Sequence, residues 1–242
     1  MTRFVRFVGL DGTPREGSVD DSGAVEGSRI GLDGLKLLAP CLPSKIVCVG
    51  RNYAEHARET GSTPPTEPLL FFKPPSAVIG PGDDIVYPRQ SKRVDYEGEL
   101  AVVIGRRCRD VMADRARDYI RGFTVFNDVT ARDLQRTDDQ WARAKGFDTF
   151  AAIGPCIVDG LDPSALRIRT TLNGEVKQDA PTSEMLFDVY TLIEFASAAF
   201  TLEPGDVVAT GTPSGIGPMQ PGDEVTVEIE GIGKLTNRVV GR

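Results

Sequence analysis

The sequence predicts a β-rich α+β protein, and three observations carry that expectation. The 242 residues include 26 glycines and 17 prolines, a density of turn formers that divides the chain into many short strands rather than long helices. Short apolar runs bounded by such turns recur, among them Ile46-Val47-Cys48-Val49, Leu69-Leu70-Phe71-Phe72, Leu100–Ile104 and Gly122–Phe126. Asn173-Gly174, flanked by alternating segments, is the strongest short hairpin signal. One long stretch, Ser183–Phe200, has helical spacing, with Leu186, Val189, Tyr190, Ile193, Phe195 and Ala196 on one side.

The length suffices for a full hydrophobic core. A formal net charge of −7 argues against nucleic acid or an anionic membrane as partner. No apolar run approaches the roughly 18–20 residues that cross a bilayer. Met1–Gly9 alternates like a strand and lacks the apolar centre of a signal peptide. The expected location is therefore cytoplasmic. Cys41, Cys48, Cys108 and Cys156 are widely spaced with no C-x-x-C, which predicts buried, reduced thiols.

Residues 1–43 read as a small β-rich appendage: a strand at Phe4–Val8, a turn at Asp11-Gly12, a return strand at Gly17–Val19, and a boundary at Pro40 and Pro43. Residues 44–242 form the main domain. Ser44–Gly50 is a short strand running into Arg51–Glu59. Asn52, with Glu55 three residues on, has capping-box spacing and predicts a helix from Tyr53. That helix would place His56, the single histidine, and Glu59 at i and i+3 on one face. The pair reads either as a surface contact or as a carboxylate that orients an imidazole base. A Pro-rich loop, 61–68, follows as a candidate lid. Leu69–Lys73 is a strand whose terminal Lys73 serves an anion or reaches solvent. Val111–Ile120 reads as a short helix, Gly122–Asp128 as a second apolar strand, and Thr130–Gln135 as a helical turn from which Arg132 and Gln135 look back toward Asp128. Trp141–Phe150 reads as a loop. The chain closes with a strand at Val207–Ala209, a Gly-rich loop over Thr210–Pro218, and a hairpin of Asp223–Ile229 and Gly231–Val240.

The chemistry concentrates on Val94–Ile104, a run that starts acidic and ends apolar. In a strand, Glu97 and Glu99 share a face. Like charges there need a proton, a basic partner or a metal ion. Asp128, at the end of the second apolar strand, makes a third carboxylate. Three hard oxygen donors suit Mg²⁺ or Mn²⁺, with Ca²⁺ also in range, better than Zn²⁺. Neutralisation by Lys and Arg partners is the alternative. The loop with Thr210, Gly211 and Thr212 lacks the following helix of a nucleotide-binding loop, and reads instead as a cradle of backbone N–H groups and hydroxyls for an oxyanion or carboxylate. No Gly-x-Ser-x-Gly elbow is present.

In order along the chain, Val49-Gly50-Arg51-Asn52-Tyr53 through His56, Phe72-Lys73-Pro74, Tyr96-Glu97-Gly98-Glu99-Leu100, Asn127–Asp133 and Thr210-Gly211-Thr212-Pro213 resemble the fumarylacetoacetate hydrolase superfamily over about residues 44–240. The likeness is clearest to its smaller members: acylpyruvate hydrolases, oxaloacetate decarboxylases or tautomerases, and 2-hydroxyhepta-2,4-diene-1,7-dioate isomerases. It implies a mixed β-roll fold, a homodimer, and a divalent cation, Mg²⁺ or Mn²⁺, held at Glu97, Glu99 and Asp128. It also implies a His56–Glu59 dyad on a lid helix, Lys145 as the lysine beside the substrate, and Lys73, Arg132, Gln135 and Thr212 along the pocket. The large N-terminal domain of the tyrosine-catabolic hydrolase has no counterpart in the 43 residues before this region.

The function implied is metal-dependent hydrolytic C–C cleavage of 2-oxo mono- or dicarboxylic acids such as acylpyruvates, through a metal-bound enolate, with tautomerisation, isomerisation or decarboxylation as the alternative. In the hydrolytic form His56 activates a water that attacks the distal carbonyl, while Lys145 and the Gly-rich loop stabilise developing charge. Tautomerisation, isomerisation or decarboxylation uses the same enolate without water attack. A non-catalytic 2-oxo-acid binding protein is the alternative from another class.

Overall fold

The computed structural model describes residues 1–19, 23–25, 31 and 34–242. The first strands are β1 (Thr2–Val8), β2 (Pro14–Val19), β3 (Leu37–Leu38) and β4 (Ile46–Gly50), followed by helix α1 (Ala54–Glu59). Next come β5 (Leu69–Lys73), β6 (Val78–Ile79), β7 (Asp84–Tyr87), β8 (Val94–Tyr96), β9 (Gly98–Ile104), β10 (Ile120–Asp128) and β11 (Thr130–Ala131). Helices α2 (Arg132–Thr137) and α3 (Ala142–Gly146) precede β12 (Ala151–Asp159), β13 (Arg167–Leu172), β14 (Glu175–Pro181) and α4 (Val189–Ala199). The chain closes with β15 (Val207–Ala209), β16 (Gly217–Met219), β17 (Glu224–Ile229) and β18 (Gly233–Gly241). The α+β class and its strand-rich content agree with the sequence.

The largest sheet runs β2-β1-β12-β10-β9-β15-β4-β5, with β3 added to β1 and β6 to β12. A second runs β14-β13-β17-β18-β7, and a small third runs β11-β8-β16. The central strand β9 is buried on both sides. Leu100, Val102 and Ile104 enter one core with Leu192 and Ile193 of α4. Ala101 and Val103 enter another with Phe126 and Ile153. Burial on both faces explains why its sequence is a continuous apolar run rather than an alternating one. The first residues dock on the main sheet, since β1 pairs with β12 through Thr2–Asp159, Arg3–Val158 and Phe4–Ile157. All four cysteines are buried and unpaired.

Three local expectations change. Asn52 does not cap α1, whose N-cap is Tyr53 with no side-chain cap bond. Asn52 is fully buried. It donates to the carbonyls of Phe187 and Thr210 and accepts from the Phe187 N–H, so it ties the start of α1 to two distant loops. The stretch read as a helix from Ser183 forms a regular helix only from Val189, because Asp188 accepts from the Thr191 N–H and sets the start there. The Trp141–Phe150 loop contains helix α3; the short helix expected at 111–120 is present as a 3₁₀ helix over Ala113–Tyr119. The Asn173-Gly174 hairpin is present, with Asn173 at φ 52° and Gly174 at φ 82°, both in the left-handed region that its tight turn requires.

Asp206 fixes the turn before β15. Its fully buried side chain accepts from Ser44 N and Oγ, Lys45 N and Nζ, and Glu203 N. Burial works to raise the carboxyl's pKa, but Lys45, the Glu203 amide and Ser44 outweigh it and hold it below its ordinary value. Replacing Asp206 with Ala leaves several donors unpaired, and should cost about 3 kcal/mol or more of stability. A depressed carboxylate stabilises above its unfolded pKa of about 4, and that contribution disappears as pH falls through the folded value. Thermal unfolding should therefore show a gap between wild type and Asp206→Ala that is full at neutral pH and narrows below about pH 4. A gap that stays constant into acid would contradict the assignment.

Candidate active site

The register of β9 and β10 builds the site. Phe126 pairs with Glu99 and Asn127 with Gly98, so Asp128 comes next to Glu97 and donates its backbone N–H to the Glu97 carbonyl at 2.9 Å. Strand pairing pauses at Glu97, where the Asn127 side chain accepts the Glu97 N–H at 3.0 Å. Gly98 is required by close approach, because a Cβ there would lie 2.2 Å from Thr170 Oγ1 on β13. The carboxylate oxygens of Glu97, Glu99 and Asp128 lie within 4.8 Å of one another, and all three residues are buried.

The basic partners that the sequence offered as the alternative to a metal ion are present. Lys145 Nζ reaches Glu97 Oε2 at 2.9 Å and Asp128 Oδ2 at 2.6 Å. Arg132 pairs with Glu97 and Asp95. Burial alone would push the Glu97 carboxyl up, but Lys145 and Arg132 dominate and hold it well below the usual range. Burial likewise works to lower the Lys145 ammonium, and Asp128 and Glu97 overcome it, raising it to about 12. Glu99 differs. Its side chain accepts from the Gly211 N–H at 2.8 Å, and among the described residues no cation bonds it. Burial and the nearby Asp128 and Glu97 charges push its carboxyl well above the ordinary carboxylate range.

That imbalance tests the fit of a divalent cation. The donors are hard oxygens converging on one point, and one buried carboxyl lacks a positive partner. Both features suit Mg²⁺ or Mn²⁺ held by Glu97, Glu99 and Asp128.

A cavity of about 210 Å³ opens onto the trio. Its wall includes His56 of α1, Gln135 of α2, Phe71 of β5, and Lys145, Arg132 and Thr212. His56 is buried, and its Nδ1 lies 3.3 Å from Glu59 Oε2. Burial works to raise Glu59, but His56 and the backbone N–H groups of Gly215 and Ile216 prevail and lower it. The Gly215 N–H donates to Glu59 Oε1 at 3.0 Å, and the Tyr96 hydroxyl donates to the Gly215 carbonyl at 3.0 Å. A residue of the acidic segment thus holds the loop that holds the dyad.

Of the other expected site residues, Lys73, Thr210 and Gly211 lie behind the cavity wall, while Arg132 and Thr212 are part of it. Lys73 does not reach solvent. It is buried, donating to Asp128 Oδ1 at 2.5 Å and to the Val129 carbonyl at 3.0 Å, and burial lowers its pKa despite Asp128. Arg132 turns to Asp95, Glu97 and the Gln135 Oε1 at 2.5 Å rather than toward Asp128. In the Gly-rich loop, Thr210 Oγ1 donates to the Leu100 carbonyl, and Gly211, at φ 94°, aims its N–H at Glu99. Thr212 Oγ1 donates to the Gly98 carbonyl and accepts from Gln178 Nε2. The sequence reading passed over Asp95, Asn127, Tyr96 and Gln178. Asp95 and Tyr96 stood inside the acidic run, where three polar residues before an apolar strand were the available signal. Gln178, on β14, carried none.

Residues 45–240 match the family model described as fumarylacetoacetate (FAA) hydrolase C-terminal. The chain belongs to the fumarylacetoacetate hydrolase family. The structure of a 5-carboxymethyl-2-hydroxymuconate delta-isomerase from Mycobacterium smegmatis is 48% identical, covers 99% of each chain and superposes with a TM-score of 0.92. A mitochondrial oxaloacetate tautomerase of Bos taurus is 46% identical over 216 residues, 84% of this chain and 69% of the relative. A fumarylpyruvate hydrolase from Pseudomonas aeruginosa, in complex with Mn²⁺ and pyruvate, is 33% identical over 90% of this chain and 95% of that one, with a TM-score of 0.79. Members of this fumarylacetoacetate hydrolase family are enzymes, and so is this protein.

Two predictions follow from the geometry. Glu99→Gln should weaken Mg²⁺ and Mn²⁺ binding at least about 10-fold, judged against the 10–100-fold cost of losing even an outer-sphere partner. Calorimetric titration measures it, and undiminished affinity would remove Glu99 from the ligand set. Tyr96→Phe removes one hydrogen bond, worth about 1 kcal/mol, so kcat should fall roughly five-fold while cation affinity holds. Equal loss of both would mean that the hydroxyl only stabilises the fold.

Proposed function

We propose that this protein is a divalent-cation-dependent enzyme that moves a proton at the carbon beside the 2-oxo group of small 2-oxo acids, interconverting keto and enol forms. The observation that carries the reading is one held base, His56, on the same cavity as three converging carboxylates. A divalent cation at Glu97, Glu99 and Asp128 would supply Lewis acidity toward the 2-oxo group. Mn²⁺ in the Pseudomonas aeruginosa relative supports that choice of ion class.

The chain's own residues supply the remaining chemistry. His56 takes the carbon-bound proton and returns it, the Nδ1 side being held by Glu59 so that the other ring nitrogen is available. Glu59 is fixed from behind by Gly215, and it balances the imidazolium that forms. Lys145 stays charged and offsets negative charge on substrate oxygen. Phe71, Val49 and Trp141 give the cavity an apolar wall that limits water access.

Hydrolytic C–C cleavage of acylpyruvates is the second reading, with His56 activating water instead. The fumarylpyruvate hydrolase relative supports it. The tautomerase and isomerase relatives share more of this sequence and favour proton transfer. A homodimer is part of the proposal, and light scattering that returned the 26.1 kDa monomer mass would remove it. The described residues contain no helix long and apolar enough to cross a membrane.

The test is NMR of oxaloacetate, an acylpyruvate and a 2-hydroxy-2,4-dienoate in D₂O with Mg²⁺ or Mn²⁺. Tautomerisation appears as solvent deuterium at the carbon beside the 2-oxo group, and hydrolysis as two separate acids. His56→Ala should lower turnover by about 10²–10⁴-fold with cation affinity retained. Full turnover in that variant would overturn the role of His56.

A further inference from the structure

Gln178 is a buried amide that the chemistry above leaves unused. It comes from β14 in the second sheet and is 1% exposed. Its Oε1 accepts the Gly98 N–H at 3.0 Å, and its Nε2 donates to Thr212 Oγ1 and to the Pro213 carbonyl, each at 2.8 Å. Thr212 Oγ1 in turn donates to the Gly98 carbonyl at 2.9 Å. Gly98, Gln178 and Thr212 therefore close a ring of hydrogen bonds.

The ring sits at the residue between Glu97 and Glu99. In a strand the N–H and C=O of one residue leave on the same side. At Leu100 that side meets the chain after β15, because the Leu100 carbonyl accepts the Thr210 N–H at 3.0 Å. Gly98, two residues back, faces the same way. There β15 has already ended, since its pairing with β9 stops at Ala209 opposite Ala101. The Gln178 amide stands in for the missing peptide, accepting as a backbone carbonyl would, and the Thr212 hydroxyl supplies the donor. Two buried backbone groups are satisfied in this way. The pin matters most at this residue. Glycine has the widest backbone freedom, and a turn of its dihedral angles would swing Glu97 and Glu99 apart.

The local geometry of β14 shows how Gln178 is aimed. Thr170 pairs with Gln178 and Thr171 with Val176, so Lys177 is an extra residue. It forms a β-bulge, a device that redirects neighbouring side chains. The bulge also meets the Gly-rich loop, where a Cβ on Gly215 would lie 2.1 Å from the Lys177 carbonyl oxygen. Gly215 is the residue that donates to Glu59. One bulge thus braces the loop beside the carboxylate trio and beside the dyad.

We infer that Gln178 is a positioning residue for the cation site: it pins Gly98 so that Glu97 and Glu99 converge with Asp128, and so sets the affinity for a divalent cation. This inference rests on the reading of the trio as a cation site. Gln178 bonds none of the three carboxylates, and its effect passes through the backbone of Gly98.

Calorimetric titration with Mn²⁺ and Mg²⁺ tests it, together with thermal unfolding of the same proteins without metal. Gln178→Met keeps the length of the side chain, removes its hydrogen bonds, and should weaken both cations roughly 10-fold. Thr212→Val opens the same ring from its other side with a smaller change of shape, and should also weaken them roughly 10-fold. Because the two act on one ring, the double variant should lose less than the product of the single losses. Thr170→Val is the packing control. Thr170 lies opposite Gln178, and its buried hydroxyl has no partner among the described residues. Its removal should leave cation affinity within about two-fold. Unchanged affinity in Gln178→Met with a lowered unfolding temperature would overturn the inference, since Gln178 would then serve the fold alone. Losses that simply multiply, or a Thr170→Val loss as large as that of Gln178→Met, would overturn it too. If Gln178→Met does not fold, Thr212→Val decides, and undiminished affinity there is the negative result. Wild type that binds neither cation removes the cation reading and the inference with it, which differs from wild-type binding that survives in Gln178→Met.

Discussion

Asp95, Glu97, Glu99 and Asp128 are carboxyl groups held out of water and brought side by side by adjoining strands. Charge at such a place is tolerated only when opposite charge is brought to it, because desolvation of an unpaired ion exceeds most other local terms. Lys73, Lys145 and Arg132 are buried beside them for that reason. Each of the three cations bonds at least one of Asp95, Glu97 and Asp128, and none bonds Glu99. Arg93 adds a fourth cation, bonded to Asp95 through both carboxylate oxygens, so the charges match in number but not in position. Among the described residues Glu99 is the carboxyl of the four that no cation bonds, and it lies where three oxygens converge. A divalent cation at that point would give Glu99 the positive partner it lacks.

The rest of the fold can be understood as the means of holding that cluster. Antiparallel pairing of β9 and β10 sets Asp128 beside Glu97. The absence of a side chain at Gly98 lets β13 close over the strand. The Gly-rich loop after β15 spends its polar groups inward: Thr210 on the Leu100 carbonyl, Gly211 on Glu99, Thr212 on the Gly98 carbonyl. The loop expected to cradle a ligand therefore acts first as a clamp on the acidic strand. Its far end then reaches α1, where Gly215 joins Tyr96 to Glu59. Asn52 adds a second link, from the start of α1 to Thr210 and Phe187. The carboxylate trio and the His56–Glu59 pair are thus coupled through one loop rather than placed independently.

The sequence was legible where local pattern and chemistry coincide. Carboxylates at the ends of apolar runs marked the trio, a histidine with an acid at i+3 marked the dyad, and Asn173-Gly174 marked a hairpin. It was misleading where a side chain bonds across long sequence separation. Asn52 has the spacing of a helix cap, yet its partners lie 135 and 158 residues away. Lys73 stands at a strand end, a place usually open to solvent, and is instead enclosed against Asp128, 55 residues on.

By itself the sequence determined the β-rich class, the order of the strands, and the three carboxylates and the histidine as candidate site residues, because periodicity, turn residues and donor chemistry are local properties. Only the tertiary structure decided which cation each carboxylate takes, that no cation among the described residues bonds Glu99, and that Arg51 lies over Trp141. Those outcomes depend on which buried groups meet across distant strands and loops. Burial gives such contacts their energy, and it is conferred by the whole fold rather than by any one segment.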